Sequence, residues 1–183
     1  MKPVLRAEIV DYQTYEETRA SFREVVLAEK NRRRIEVGGC FAFLFENRLT
    51  VRYQIQEMMR VEKIVRERDV LHELETYNAI LGGDGELGCT LMIEIDDPAE
   101  RSLKLREWIG LPGAIYARME DGARVRPRFD PGQVGAGRLS SVQYLRFPVG
   151  ESVPVAIGID LPGLEVERSL NGDQRAALAE DLA

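Results

Sequence analysis

The sequence predicts an α+β fold in which a largely antiparallel sheet carries several packed helices, as a single domain over residues 1–183. Three observations carry that expectation. Strand-like runs meet at short glycine turns, as at Gly38-Gly39 and Glu120-Asp121-Gly122, and a turn that short joins antiparallel neighbours. Strict alternation of strand and helix, the mark of a parallel sheet, is absent from the pattern. Segments of helical period lie between the hairpins with their own start and stop signals.

In order along the chain, Val4, Leu5, Ile9 and Val10 read as an extended lead-in. Thr14-Tyr15-Glu16-Glu17 has the form of a capping box, so a helix is expected from there to about Arg33, with Tyr15, the stem of Arg19, Phe22, Val25 and Val26 inward. Lys30, Arg32, Arg33 and Arg34 close it, where cations meet the negative end of the helix dipole. Four cations in five positions exceed what capping needs, so a patch for phosphate or a partner is the competing interpretation. Arg34–Val37 alternates, Gly38-Gly39 supplies a two-residue turn, and residues 40–45 return as an apolar strand. Asn47 then caps a helix expected to reach about Val65, with Val51, Ile55, Met58 and Val65 inward and Arg52, Gln56, Arg60 and Lys63 outward. Glu57 with Arg60, and Glu62 with Arg66, are spaced to pair on its surface.

A further helix is expected over 67–80, with Val70, Leu71, Leu74 and Tyr77 inward and glycines at its end. The single histidine, His72, faces away from that stripe. Asp69-x-x-His72 could share a metal, but one histidine among carboxylates is the ordinary content of a solvated face, and no metal is assigned. Residues 87–95 alternate as a strand with one buried face. Asp97-Pro98-Ala99-Glu100 opens a helix that should bury Leu105, Trp108 and Ile109 and stop at Gly110. Strands follow over 114–119, 123–128, 142–147 and 153–159, with a glycine-rich loop over 130–137. Gly132, Gly135 and Gly137 lack the Gly-Lys-Ser/Thr ending of a phosphate loop. Asn171 caps a short last helix carrying Ala177, Leu178 and Leu182.

Composition narrows the function classes. Hydrophobic residues at 44% and charged residues at 31% suit a soluble chain with a buried core rather than a disordered one. A formal charge of −6 works against attraction of the whole molecule to nucleic acid or anionic lipid. Nucleic-acid binding through residues 30–34 with Arg48 and Arg52 is a second alternative, weakened by the lack of interleaved aromatics. No segment reads as a signal peptide or a membrane span, and the expected location is the cytoplasm. Cys40 and Cys89 lie inside apolar runs and read as reduced core thiols; nothing suggests zinc or an iron–sulfur centre, and no cofactor is assigned.

The central stretch carries a resemblance. Leu44-Phe45-Glu46-Asn47-Arg48, Thr50-Val51 and Gln54-Ile55-Gln56-Glu57-Met58 resemble a bacterial family known as domain of unknown function 3501. Glu73-Leu74, Tyr77-Asn78, the run from Cys89 to Glu94 and Tyr144-Leu145-Arg146-Phe147 extend the likeness over most of the chain. The resemblance implies a chain of this length without an established activity, and a protein partner from a redox or iron–sulfur system. It also implies an Asp-His-Pro-x-Tyr-like segment near the C-terminus. This chain has Asp160-Leu161-Pro162-Gly163-Leu164 there, so no role for that histidine carries over.

The candidate binding surface is the polar corner of Glu46, Asn47 and Arg48 with Tyr53, Gln54, Gln56, Glu57 and Arg60. The leading interpretation is a non-catalytic binding or accessory protein, tied by the resemblance to a redox or oxidative-stress system. The alternative is an enzyme acting on a small anionic substrate, with Glu46 or Glu57 as base and Arg48 holding the anion. That role needs a carboxyl raised towards the working pH. The corner also has an architectural interpretation, with Asn47 as a cap and Glu46–Arg48 as an ion pair. A homo-oligomer is compatible with the sequence, though no feature selects one.

Overall fold

The computed structural model describes residues 1–135 and 137–183. Its first half contains α1 (Tyr12–Arg33), β1 (Arg34–Val37), β2 (Phe41–Phe45), α2 (Arg48–Glu62), α3 (Glu67–Asn78) and β3 (Glu86–Ile93). Then come α4 (Pro98–Glu107), the single turn α5 (Leu111–Ala114), β4 (Ile115–Arg118) and β5 (Arg124–Val125). The chain continues through β6 (Val134–Gly135), β7 (Arg138–Leu139), β8 (Val142–Pro148), β9 (Ala156–Leu161), β10 (Leu164–Ser169) and α6 (Gly172–Leu182).

The antiparallel α+β expectation holds, but the strands divide between two sheets. One has the order β1-β2-β3-β8 and the other β10-β9-β4-β5, with a small β6–β7 ribbon beside them. Every pairing is antiparallel. The inner faces of both sheets pool in one core, where Phe43, Phe45, Leu91 and Phe147 meet Ile115, Ile157 and Ile159. The outer face of the first sheet is exposed at β8 but covered by helices over β2, which is therefore buried on both faces. That is why β2 reads as an unbroken apolar run rather than an alternating one. Burying each of its three phenylalanines contributes about 2 kcal/mol. A second cluster joins Val51, Ile55 and Met59 of α2 to Val70 and Leu74 of α3 and to Val4 and Ile9 of the lead-in.

Several local expectations are corrected. Asp11, rather than Thr14, caps α1: its carboxylate accepts from the Gln13 and Thr14 amides at 3.0 and 3.1 Å and from the Thr14 hydroxyl at 2.6 Å. An ionised acceptor gains more at a helix start than a hydroxyl does. Val25 turns to solvent, and the lead-in contains a 3-10 turn, Arg6–Glu8, rather than running fully extended. The first hairpin has Val37 opposite Phe41, so its loop holds three residues with Gly38 and Gly39 at positive φ. α2 stops early because Lys63 turns left-handed, which leaves Val65 exposed; within the helix, Met59, four residues on from Ile55, takes the inner position instead of Met58. Leu71 and Ile109 are likewise exposed. β10 is a strand the sequence conceals: four of the six residues in Leu-Glu-Val-Glu-Arg-Ser are polar, and only pairing with β9 across Pro162-Gly163 makes it one.

The cations at the end of α1 are consumed internally. Arg33, 2% exposed, donates to both oxygens of Asp181 at 2.9 Å and pairs with Glu29, which pins α6 to α1. Arg32 reaches Glu180 at 2.7 Å and Arg34 reaches Glu94 at 2.7 Å. The glycine-rich loop is also put to use. Its Gln133 amide accepts from the Tyr144 backbone N–H at 2.6 Å and donates to the Tyr144 carbonyl at 3.2 Å, capping the free edge of β8. Ala136 of that loop lies outside the described residues. Among the described residues no helix is long and apolar enough to cross a membrane.

One glycine sets how closely α3's trailing turn approaches the sheet. A Cβ on Gly88 of β3 would stand 2.1 Å from the Ile80 carbonyl oxygen. Gly88→Ala must therefore displace backbone, and a loss of about 2 kcal/mol or more is expected, read as a lower urea midpoint. An unchanged midpoint would show that the contact does not constrain the fold.

Candidate functional site

The corner after β2 is assembled from local hydrogen bonds. The Glu46 amide donates to the Gly88 carbonyl at 2.9 Å, which extends the β2–β3 ladder by one step. Asn47 caps α2 as expected, accepting from the Thr50 amide at 3.0 Å, while the Thr50 hydroxyl accepts from the Asn47 amide at 3.0 Å. The same hydroxyl donates to one Glu46 oxygen at 2.5 Å, and the Thr90 hydroxyl donates to the other at 2.8 Å. The carboxylate is thus held from both sides by neutral donors. Among the described residues it has no ion pair. Arg48 turns away to Glu8 and to the Pro3 carbonyl at 3.2 Å, so the expected Glu46–Arg48 pair does not form.

Glu46 faces a cavity of about 240 Å³ on the outer face of the first sheet. Leu44, Val51, Ile80, Met92 and Val142 supply apolar walls; Lys30, Gln54, Thr90, Tyr77 and Tyr144 supply the polar groups. Tyr77, Ile80 and Tyr144 also line a neighbouring cavity of about 370 Å³ with Phe129, Asp130 and Gln133. Burial raises the Tyr77 phenol above its ordinary value, with the Gln54 amide offsetting part of the rise. Tyr144 is raised by burial, then by Tyr77 and Glu46. Both phenols therefore stay protonated at neutral pH and can donate.

Seven of the eight predicted residues fall in three places, and Arg48 lies apart against Glu8 and Pro3. Glu46 and Gln54 line this cavity, with Asn47 beside them as the cap. Glu57, Arg60 and Tyr53 face α1. There Arg19 grips Glu57 at 2.6 and 3.0 Å, Tyr15 donates to it at 2.7 Å, and Arg60 lies 3.4 Å away. Tyr53 is buried against Phe22 and carries the Lys30 ammonium over its ring at 5.2 Å. Gln56 is buried rather than outward, because the lead-in crosses above it: its amide accepts from the Val10 N–H at 2.8 Å and donates to the Val10 carbonyl at 3.1 Å. Tyr77, Thr90, Tyr144 and Lys30 were outside the predicted set; only the resemblance segments at Tyr77, Thr90 and Tyr144 pointed to three of them.

The two cysteines and Glu57 are held against nucleophilic or base chemistry. Burial pushes the Cys89 thiol well up, and raises Cys40 as well. Burial alone would raise Glu57, but the hydrogen bonds from Arg19 and Tyr15 outweigh it and hold the carboxyl at about 2. His72 is exposed on α3, and among the described residues no three histidine, cysteine or acidic side chains converge as a metal site.

A family model described as "Protein of unknown function (DUF3501)" matches residues 3–182. The chain belongs to this family. It is similar to a novel protein of unknown function from Burkholderia pseudomallei seen in a crystal structure, with 29% identity, a TM-score of 0.91 and 100% of each chain covered. No curated protein matches it. In this DUF3501 chain the resemblance segments converge on the cavity, supplying Leu44, Glu46, Val51, Gln54, Tyr77, Thr90 and Tyr144. Where the histidine segment was expected, Asp160 accepts from Arg124 and Arg126 at 2.9 and 2.6 Å.

Glu57 gives a pH prediction with a definite sign. Its carboxyl is lowered on folding from 4.5 to about 2, so the unfolded chain binds more protons between those values. Its contribution is complete above about pH 5 and fades as pH falls towards about 2. Glu57→Gln should cost about 2 kcal/mol near pH 7, after allowance for partial solvation, and progressively less on acidification in urea titrations. A deficit independent of pH would contradict the charge-based account.

Proposed function

We propose that the protein is a non-catalytic binding protein that holds a small molecule in the cavity between Glu46, Tyr77 and Tyr144. One observation carries this: a carboxylate oriented by two threonine hydroxyls, without an ionic partner among the described residues, faces an otherwise mostly apolar cavity. Few convergent polar groups in an apolar cleft is the usual make-up of a small-molecule site. The enzyme alternative is weakened because its parts are separated, with Glu57 held by Arg19 and Arg48 by Glu8. The nucleic-acid alternative loses Arg32, Arg33 and Arg34 to internal ion pairs.

Val142, half-exposed at the cavity rim on β8, offers a test that leaves the core intact. A thermal-shift panel of aromatic amines, aromatic acids and neutral aromatics should stabilise the wild type in at least one class, by about 1.4 kcal/mol at roughly tenfold excess over Kd. Val142→Trp should fill the cavity and remove that response while keeping the wild-type circular dichroism. Equal shifts in the variant, or no shift of the wild type by any class, would refute a ligand in this cavity.

A further inference from the structure

The charges around the cavity specify its ligand further, and this step rests on the binding role proposed for the same site. A carboxylate offers about four acceptor positions, and the two threonine hydroxyls occupy one on each oxygen of Glu46. Acceptor capacity is left facing the cavity. The other charged lining residue is Lys30, whose ammonium stands over the ring of Tyr53, a residue outside the lining. Of the two lining charges, the Lys30 ammonium is thus engaged with a ring face, whereas Glu46 is without an ion pair among the described residues.

The aromatic walls add a second, independent observation. Elsewhere in the molecule, cations already sit over ring faces: Arg52 over Phe22, Lys30 over Tyr53, Lys104 over Trp108, and Arg124 with Arg126 over Tyr116. Among the described residues, neither Tyr77 nor Tyr144 carries a cation or stacks on another aromatic ring, although Tyr144 is 41% exposed. Two unoccupied tyrosine rings beside an unpaired carboxylate form the electrostatic complement of an organic cation. An anion would meet the Glu46 charge, and a neutral guest would leave a half-buried carboxylate without a counter-ion.

We propose that the cavity takes a small organic cation, an alkyl- or arylammonium, with Glu46 as its counter-ion and Tyr77 and Tyr144 as its walls. Gln54 and the tyrosine hydroxyls are placed to orient the rest of such a molecule, and Leu44, Val51 and Met92 to receive its apolar body.

The test uses benzylamine, benzyl alcohol and benzoate, which share a ring and differ in charge. Binding is followed by the Met92 methyl resonance in protein labelled at its methionine methyls, assigned with Met92→Leu. Benzylamine should shift that resonance and bind about tenfold or more tighter than the other two, and Glu46→Gln should abolish the preference. Tyr144→Leu, on an exposed side chain, should weaken benzylamine severalfold and benzyl alcohol little; it carries the test should Glu46→Gln fail to fold. If benzyl alcohol or benzoate binds the wild type as tightly as benzylamine, the cation assignment is overturned and the binding role stands. If none of the three moves the Met92 methyl, both fall.

Discussion

The hydroxyl of Thr50, fully buried in the first turn of α2, accepts from the Asn47 amide and donates to the Glu46 carboxylate. One group therefore closes the helix start and aims the acid. The strand-to-helix corner depends on that sharing: a free carboxylate so near a helix N-terminus would compete for the same amides that Asn47 and Thr50 satisfy. With Thr50 and Thr90 each holding one oxygen, the carboxylate is kept out of the cap and faces the cavity instead.

Around this corner the fold repeats one device. Three amide side chains each accept from and donate to the backbone of a single distant residue: Gln56 to Val10, Asn78 to Val4 and Gln133 to Tyr144. Each imitates a neighbouring strand. The first two tie the lead-in across α2 and α3, and the third seals the β8 edge behind a cavity wall. Buried backbone groups need partners, and a side-chain amide carries both the donor and the acceptor. The close approach of Ile80 to Gly88 completes the enclosure by seating the end of α3 over β3.

Legibility in the sequence followed the range of the interactions. The cap at Asn47, the first hairpin, the cap at Asn171 and the antiparallel class rest on residues close together in the chain, and these were readable. The division into two sheets, β10 as a strand, and Arg33 as a buried ion rather than a surface cation depend on partners far away. Asp181, the partner of Arg33, lies 148 residues on. Gln56 followed the helical pattern outward on paper, and only the lead-in crossing above it makes its position interior. At the site, Glu46 and Gln54 were legible because a polar corner interrupts an apolar stretch. Tyr77 and Tyr144 reach the same cavity from α3 and β8, and no local pattern links them.

The central claim is that Glu46 serves a ligand rather than the architecture. Its most direct test is equilibrium urea unfolding of Glu46→Gln without ligand. Glutamine keeps an acceptor and a donor for the two threonines while removing the unpaired half-buried charge, so a stability within about 1 kcal/mol of wild type, or slightly above it, is the predicted result. A loss of about 3 kcal/mol or more would mean that the charge itself holds the corner together. The carboxylate would then belong to the fold, and the cavity beside it would lose its claim to be a binding site.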